Sequence, residues 1–195
     1  ADDAPGGHIK AFSGADNSLL SSFLSFPGFS GRVNVSAADF NLDRADEIVA
    51  GVNSNGHVKV FNPDGTIFTS PTFFGSFLAF QGYAGGISVA AGDVNGDGVP
   101  DIIVGAQSGQ GHVKAFSGKD GSLLASFLAY EQGFTGGVNV AVGDFNKDGR
   151  FEIRTAPGKG RRVEVRAFDV LGVVLDTFQP FGLYDGGANI SGERA

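Results

Sequence analysis

Short stretches of alternating apolar and polar residues, separated by glycine-rich turns, run through the whole chain. Val138, Val140 and Val142 alternate with Asn139 and Ala141. That period of two predicts a strand with one face buried. IIVGA follows an acidic loop, HVKAF follows a Gly-rich turn, and SLLASFLAY closes the unit. This last segment is apolar on both sides, and such a strand must be covered on both faces.

The pattern recurs. GRVNVSAADFNLDRADEIVAG (31–51), GGISVAAGDVNGDGVPDIIVG (85–105) and GGVNVAVGDFNKDGRFEIRTA (136–156) align without gaps, at a period of about 52 residues. The second half of the unit recurs from Gly6, Gly56, Gly111 and Val163. One copy carries an insertion of about six residues before Phe77, within TIFTSPTFFGSF. Four short strands per unit, each unit packed between its neighbours, predict an all-β β-propeller of four-stranded blades. The expected division is 29–81, 82–132 and 133–182 as whole blades. Residues 1–28 supply strands three and four of a further blade, and 183–195 supply its first strand. On this reading 1–195 is a single propeller domain of about four blades, one of them split between the N- and C-termini. Ala1 aligns with Gly105, just after a second strand. The alternative is an arc of a larger ring, completed by a larger parent chain or, in a homo-oligomer, by a second copy.

Composition supports the β reading. Thirty-two glycines with seven prolines point to tight turns, and 19 phenylalanines supply the core bulk in a chain without Met or Trp. Phe23, Phe77, Phe127 and Phe178 recur in the last strand, and Phe29, Tyr83, Phe134 and Tyr184 at the exit to the next unit; both sets read as packing between blades. The net charge of −7 argues against broad binding to nucleic acid or acidic membranes. No apolar run approaches the roughly 18 residues of a membrane span. Cysteine is absent, so disulfides neither brace the fold nor report on compartment. Beginning at Ala1 without a charged-then-apolar leader, the chain reads as mature or as a fragment.

The acidic loops carry the candidate chemistry. In DVNGDGVPD, the side chains of Asp93, Asn95, Asp97 and Asp101 and the carbonyl of Val99 fall at alternate positions, and Gly98 supplies the turn that wraps them. Alternation lets a curled loop aim several oxygens inward, and Ca²⁺ takes six to eight oxygens. DFNLDRADE repeats the set with Asp39, Asn41, Asp43, Ala45 and Glu47, and DFNKDGRFE with Asp144, Asn146, Asp148, Arg150 and Glu152. An EF-hand is excluded because position 12 of the middle loop is Val104, inside a strand. Ten of the 21 acidic residues lie in these windows, so two to three bound Ca²⁺ would relieve most of the negative charge. Arg44 stands where the wrapping glycine should be, so weaker binding or a rearranged loop is expected there.

FTGGVNVAVGDFNKDG and YAGGISVAAGDVNGDGVPDIIVGA resemble FG-GAP repeats, the units of the integrin alpha-subunit propeller and of many bacterial secreted and surface proteins. The resemblance implies calcium between the first and second strands of a blade, a secreted or cell-surface location, and ligand contact on the opposite face. That face would hold 53–56, 107–111 and 157–162, including Lys159, Arg161 and Arg162, which could meet a carboxylate or a sulfated glycan. The departures are Arg44 for Gly, Glu47 and Glu152 for the final Asp, and fewer units than integrins have.

Catalysis finds little support. His8, His57 and His112 start equivalent strands, which suits a structural role, and no nucleophile motif is present. The expected function is a non-enzymatic, calcium-stabilised module for binding, adhesion or assembly, with an unidentified protein or glycan ligand. The alternatives are a lectin with sites between blades and, more remotely, a hydrolase module. Phe73 and Phe74 in the insertion are candidates either for a partner contact or for a flap over the blade edge.

Overall fold

Fourteen strands and no helix are found in the computed structural model, which describes residues 6–73 and 75–192. The alignment of Ala1 with a second strand, the role of Phe74 and the last residues of the 183–195 segment lie outside the described residues. Three sheets are four-stranded antiparallel meanders. The first holds β3 (Val33–Ala38), β4 (Glu47–Val52), β5 (His57–Phe61) and β6 (Ser76–Leu78). The second holds β7 (Ile87–Gly92), β8 (Asp101–Ala106), β9 (His112–Phe116) and β10 (Leu123–Leu128). The third holds β11 (Val138–Gly143), β12 (Glu152–Pro157), β13 (Val165–Phe168) and β14 (Val174–Phe178). The hairpin β1 (His8–Phe12) and β2 (Leu19–Leu24) forms a two-stranded sheet. Consecutive antiparallel strands need only short turns, which the glycines supply.

The sheets stack in chain order as blades of a β-propeller, with the first strands β3, β7 and β11 side by side at the centre. Their small residues line a central cavity, among them Ala38, Ala90, Gly92 and Val142. Blades press so closely there that Gly105 admits no side chain: an added Cβ would lie 2.8 Å from Val140 and 3.0 Å from the Val138 carbonyl. Every residue of β8 is buried, because this blade has a neighbour on each face. Every residue of β14 is exposed.

The same joint links successive blades three times. Phe23 of β2 meets Phe61 of β5, Phe77 of β6 meets Phe116 of β9, and Phe127 of β10 meets Phe168 of β13, each with ring centroids 4.9 Å apart. A cation reinforces each pair. Lys59 Nζ donates to the Ser25 carbonyl at 3.0 Å, Lys114 Nζ to that of Ala79 at 2.9 Å, and Arg166 Nη1 to that of Ala129 at 2.9 Å. The same groups stand over the rings of Phe26, Phe80 and Tyr130.

The C-terminal segment 186–192 occupies the inner-strand position beyond β11. Ala188 N–H donates to the Pro157 carbonyl, Asn139 Nδ2 to the Ala188 carbonyl, and Ala188 and Ile190 pack on Ala156, Val163 and Val165. No described hydrogen bond joins this segment to the β1–β2 hairpin at the other end.

The insertion is a flap. Phe68 and Phe73 are buried, Phe73 packs against Phe77, and Thr72 Oγ1 donates to the Lys119 carbonyl at 2.6 Å. Phe73 therefore covers the sheet edge and offers no free contact surface.

Candidate metal loops and the opposite face

Each acidic loop joins the first strand of a blade to the second: 39–46 between β3 and β4, 93–100 between β7 and β8, 144–151 between β11 and β12. The first aspartate of each organises the turn. Asp39 accepts the N–H groups of Asp43 and Arg44 at 3.0 and 2.7 Å. Asp93 accepts those of Gly96, Asp97 and Gly98 at 2.7, 3.2 and 2.8 Å, and Asp144 those of Asp148 and Gly149 at 3.0 and 2.9 Å. The asparagines and the next aspartates cap in the same way. Asn41, Asn95 and Asn146 accept the N–H two residues on, as do Asp43, Asp97 and Asp148.

Positive φ is required at two points of each turn. Glycines take both in the middle loop, Gly96 and Gly98, and Gly149 takes the second in the last. Arg44 adopts the same conformation, with φ of 76°. The first loop thus keeps its wrap without rearrangement, and the missing glycine shows up as backbone strain of about 1 kcal/mol or more.

The final acid of each loop is drawn into the fold. Glu47 and Glu152 reach back to the N–H of Phe40 and Phe145, each at 2.9 Å. Asp101, 0% exposed, accepts N–H groups from Val94, Asn95 and Gly118. Burial outweighs these donors, and the Asp101 pKa is pushed up to about 7. Burial raises Glu47 in the same direction, helped by the charges of Asp43 and Asp39 and opposed by the amide of Phe40.

The donor set suits a hard cation. Asp144, Asp148 and Glu152 each bring one carboxylate oxygen within 4.8 Å of the other two. That is the span available to oxygens sharing one ion at Ca²⁺–O distances of about 2.3–2.6 Å. Among the described residues three acids converge in this way in the last loop only. The candidates of the other loops are gathered into the same turn, without that convergence; Asp97 instead faces Lys119 Nζ at 3.9 Å.

The opposite face differs from the sequence expectation at one residue. Lys159 and Arg162 are exposed. Arg161 is turned inward, 4.2 Å from the Tyr130 ring and paired with Glu131 and Glu164 at 3.3 and 3.7 Å. It belongs to the joint between the second and third sheets. A feature the sequence reading missed also lies here. Asn34 Nδ2 donates to Gln107 Oε1 at 3.2 Å, Gln107 Nε2 to Asn139 Oδ1 at 2.8 Å, and Asn139 Nδ2 to Asn189 Oδ1 at 3.2 Å. This belt of amides ties the inner strands together near the axis. Its signal was the asparagine repeated in GRVNV, GGVNV and GGANI. The histidines are cross-strand ties as well, each bonded to a serine of the outer strand: His8 to Ser22, His57 to Ser76 and His112 to Ser126.

The FG-GAP repeat family profile matches residues 85–119, which run from the entry of β7 through the middle acidic loop to the turn after β9. Residues 85–119 are an FG-GAP repeat. The FG-GAP unit shares its four-strand plan with the sheets on either side. Integrin alpha-8 of Gallus gallus is 31% identical to this chain over 161 residues, which covers 70% of this chain and 15% of the integrin. The chain thus spans about a seventh of the curated relative it matches. Two solved structures share the fold at low identity. Raptor of Chaetomium thermophilum superposes with a TM-score of 0.59 at 15% identity, covering 92% of this chain and 15% of Raptor. The computationally designed Ika8 protein gives 0.54 at 17%, covering 97% of this chain and 47% of the design. Among the described residues no helix is long and apolar enough to cross a membrane.

Proposed function

We propose that the chain is a calcium-stabilised, non-catalytic propeller module that serves adhesion or assembly outside the cell or at its surface. The convergence of Asp144, Asp148 and Glu152 carries the calcium half of this reading; the likeness to integrin alpha-8 and the FG-GAP match support the rest. Calcium bound in the loops would neutralise carboxylates that otherwise repel one another and would tether the first strand of a blade to the second. Asp39, Asn41, Asp43, Glu47 and their counterparts would supply side-chain oxygens, and Ala45, Val99 and Arg150 their carbonyls. The ligand, a protein or a glycan, would meet the opposite face, where Lys159 and Arg162 are the exposed cations.

Equilibrium dialysis against calcium tests the reading. Two to three ions per chain are expected, and chelation should lower the melting temperature by several degrees or more, since a ligand held only by the folded state stabilises it by mass action. Asp148→Ala should remove one ion and most of one increment. A melt indifferent to calcium would sink the metal reading.

A further inference from the structure

On the face opposite the acidic loops, the joints between blades are finished in three different ways. Between the second and third full sheets, the Tyr130 and Phe134 rings meet edge-on at 5.5 Å, and Arg161 lies against them at 4.2 and 5.7 Å. The long turn between β12 and β13 brings it there. Carboxylates balance the charge: Glu131 pairs with Arg161, and Glu164 with both Arg161 and Arg166. Between the first and second full sheets, the Tyr83 hydroxyl reaches across to Ser108 Oγ at 2.9 Å.

Between the hairpin and the first full sheet neither device is present. The equivalent rings are Phe26 and Phe29, edge-on at 6.4 Å, and Phe29 has no hydroxyl to reach Ser54, the counterpart of Ser108. The turn between β4 and β5 is only 53–56 and sends no arginine between the rings. A cavity of about 240 Å³ opens instead, bordered by Phe26, Phe29, Ser54, Asn55, His57 and Lys59. Lys59 stands where the third joint has Arg166, but His57 stands where it has Glu164. Among the described residues no acid lines the cavity, and Lys59 forms no ion pair. Burial pulls the Lys59 pKa below its ordinary value, as it does for a cation without a counter-charge.

We infer that this cavity receives the side chain of a glutamate or aspartate from an acidic segment of a partner protein. The carboxylate gives Lys59 what Glu164 gives Arg166. Lys59 Nζ spends one donor on the Ser25 carbonyl, and an ammonium has three. The Asn55 amide, whose Oδ1 accepts the His57 N–H at 3.2 Å, keeps its NH2 group for the same oxygen pair. Phe29 covers the methylene stem. The volume falls below the roughly 300–1,000 Å³ of pockets that enclose whole small molecules, which suits a single side chain. Lys159 and Arg162, exposed on the same face, favour an acidic segment over a neutral one. This deepens the proposed binding role of that face and rests on it, but not on calcium.

NMR titration of the whole chain with calcium present tests this, with the blocked peptide acetyl-Gly-Glu-Gly-amide as probe. The amide signals of Asn55, His57 and Lys59 should move saturably. The glutamine counterpart should bind about tenfold or more weakly, the scale of one charge-assisted hydrogen bond. Lys59→Met should weaken binding to the same degree, and Lys59→Arg should keep it. Lys114→Met takes the equivalent cation from the middle joint and should bind like the parent, which separates lost contact from lost stability. His57→Glu sets an acid beside Lys59, as in the third joint, and should exclude the peptide. Absence of shifts at the cavity overturns the inference, as does binding untouched by Lys59→Met or by His57→Glu. Methyl glucuronide bound more tightly than the peptide would assign the cavity to a glycan and equally overturn it. Calcium is read separately by dialysis, so failure here leaves the metal reading standing.

Discussion

Phe168 and Phe12 occupy the same position of equivalent strands and have opposite surroundings. Phe168 is 2% exposed, pressed on Phe127 of the preceding blade, while Phe12 is 57% exposed, with no blade packed on it among the described residues. The local sequences, VRAF and IKAF, differ little. Burial here is a property of the neighbour and not of the strand. A blade has two faces to cover and cannot cover either alone, so a propeller is stable in proportion to its joints.

That contrast can be broken by substitution. Phe168→Ala removes a ring from a closed joint and should cost about 3–5 kcal/mol in denaturant unfolding. Phe12→Ala should cost roughly 0.5 kcal/mol or less, as surface changes do. Equal costs would mean that the end face is already covered within one chain. The cations sharpen the same comparison at smaller scale. Lys114→Met leaves the Ala79 carbonyl without its donor and the Phe80 ring without its cation, for an expected loss of about 1–2 kcal/mol. Lys10→Met should change nothing measurable.

Acid provides the smallest test. Burial, with some help from the neighbouring Lys59 and Lys114 charges, lowers the pKa of His57 and His112 below the ordinary 6.5. The neutral imidazole is therefore favoured in the fold, and below pH 6.5 the unfolded chain takes up protons first. Their contribution is full above that pH and is lost as pH falls through it toward the folded values. Asp101, raised to about 7, pulls the other way, so the expected result is a difference: from pH 7 to 5, His57→Gln, His112→Gln should lose less stability, or gain more, than the parent chain by a fraction of a kcal/mol; an identical pH response would show that other groups carry it.

Much of this was legible in the residues. Alternation and turn glycines announced the strands, the period announced the blades, and three registered copies of DxNxD announced loops that gather oxygens. The recurring Phe of the last strand was identified as packing between blades; Phe23, Phe77 and Phe127 do so at 4.9 Å, whereas Phe178 and Tyr184, read the same way, are exposed because no further blade packs on them among the described residues. Arg161 was misplaced because a basic run in a turn reads as surface, and only the third dimension brings Tyr130, Glu131 and Glu164 around it. The amide belt was overlooked for a related reason. Asn34, Gln107 and Asn139 are distant in sequence, and their hydrogen bonds exist only when the inner strands converge. Arg44 was expected to weaken binding or to rearrange the loop; the loop keeps its wrap, because an L-residue can be held at positive φ when the surrounding hydrogen bonds outweigh the strain.

Local pattern therefore determined what each segment of this chain is: strand, turn or acidic loop. Those properties follow from interactions within a few residues, so a linear reading reaches them. Which surfaces are covered was decided by tertiary structure alone, because it depends on the next blade. Repeated residues become core between successive blades of the stack and stay exposed at Phe12 and Phe178, where no blade packs on them among the described residues.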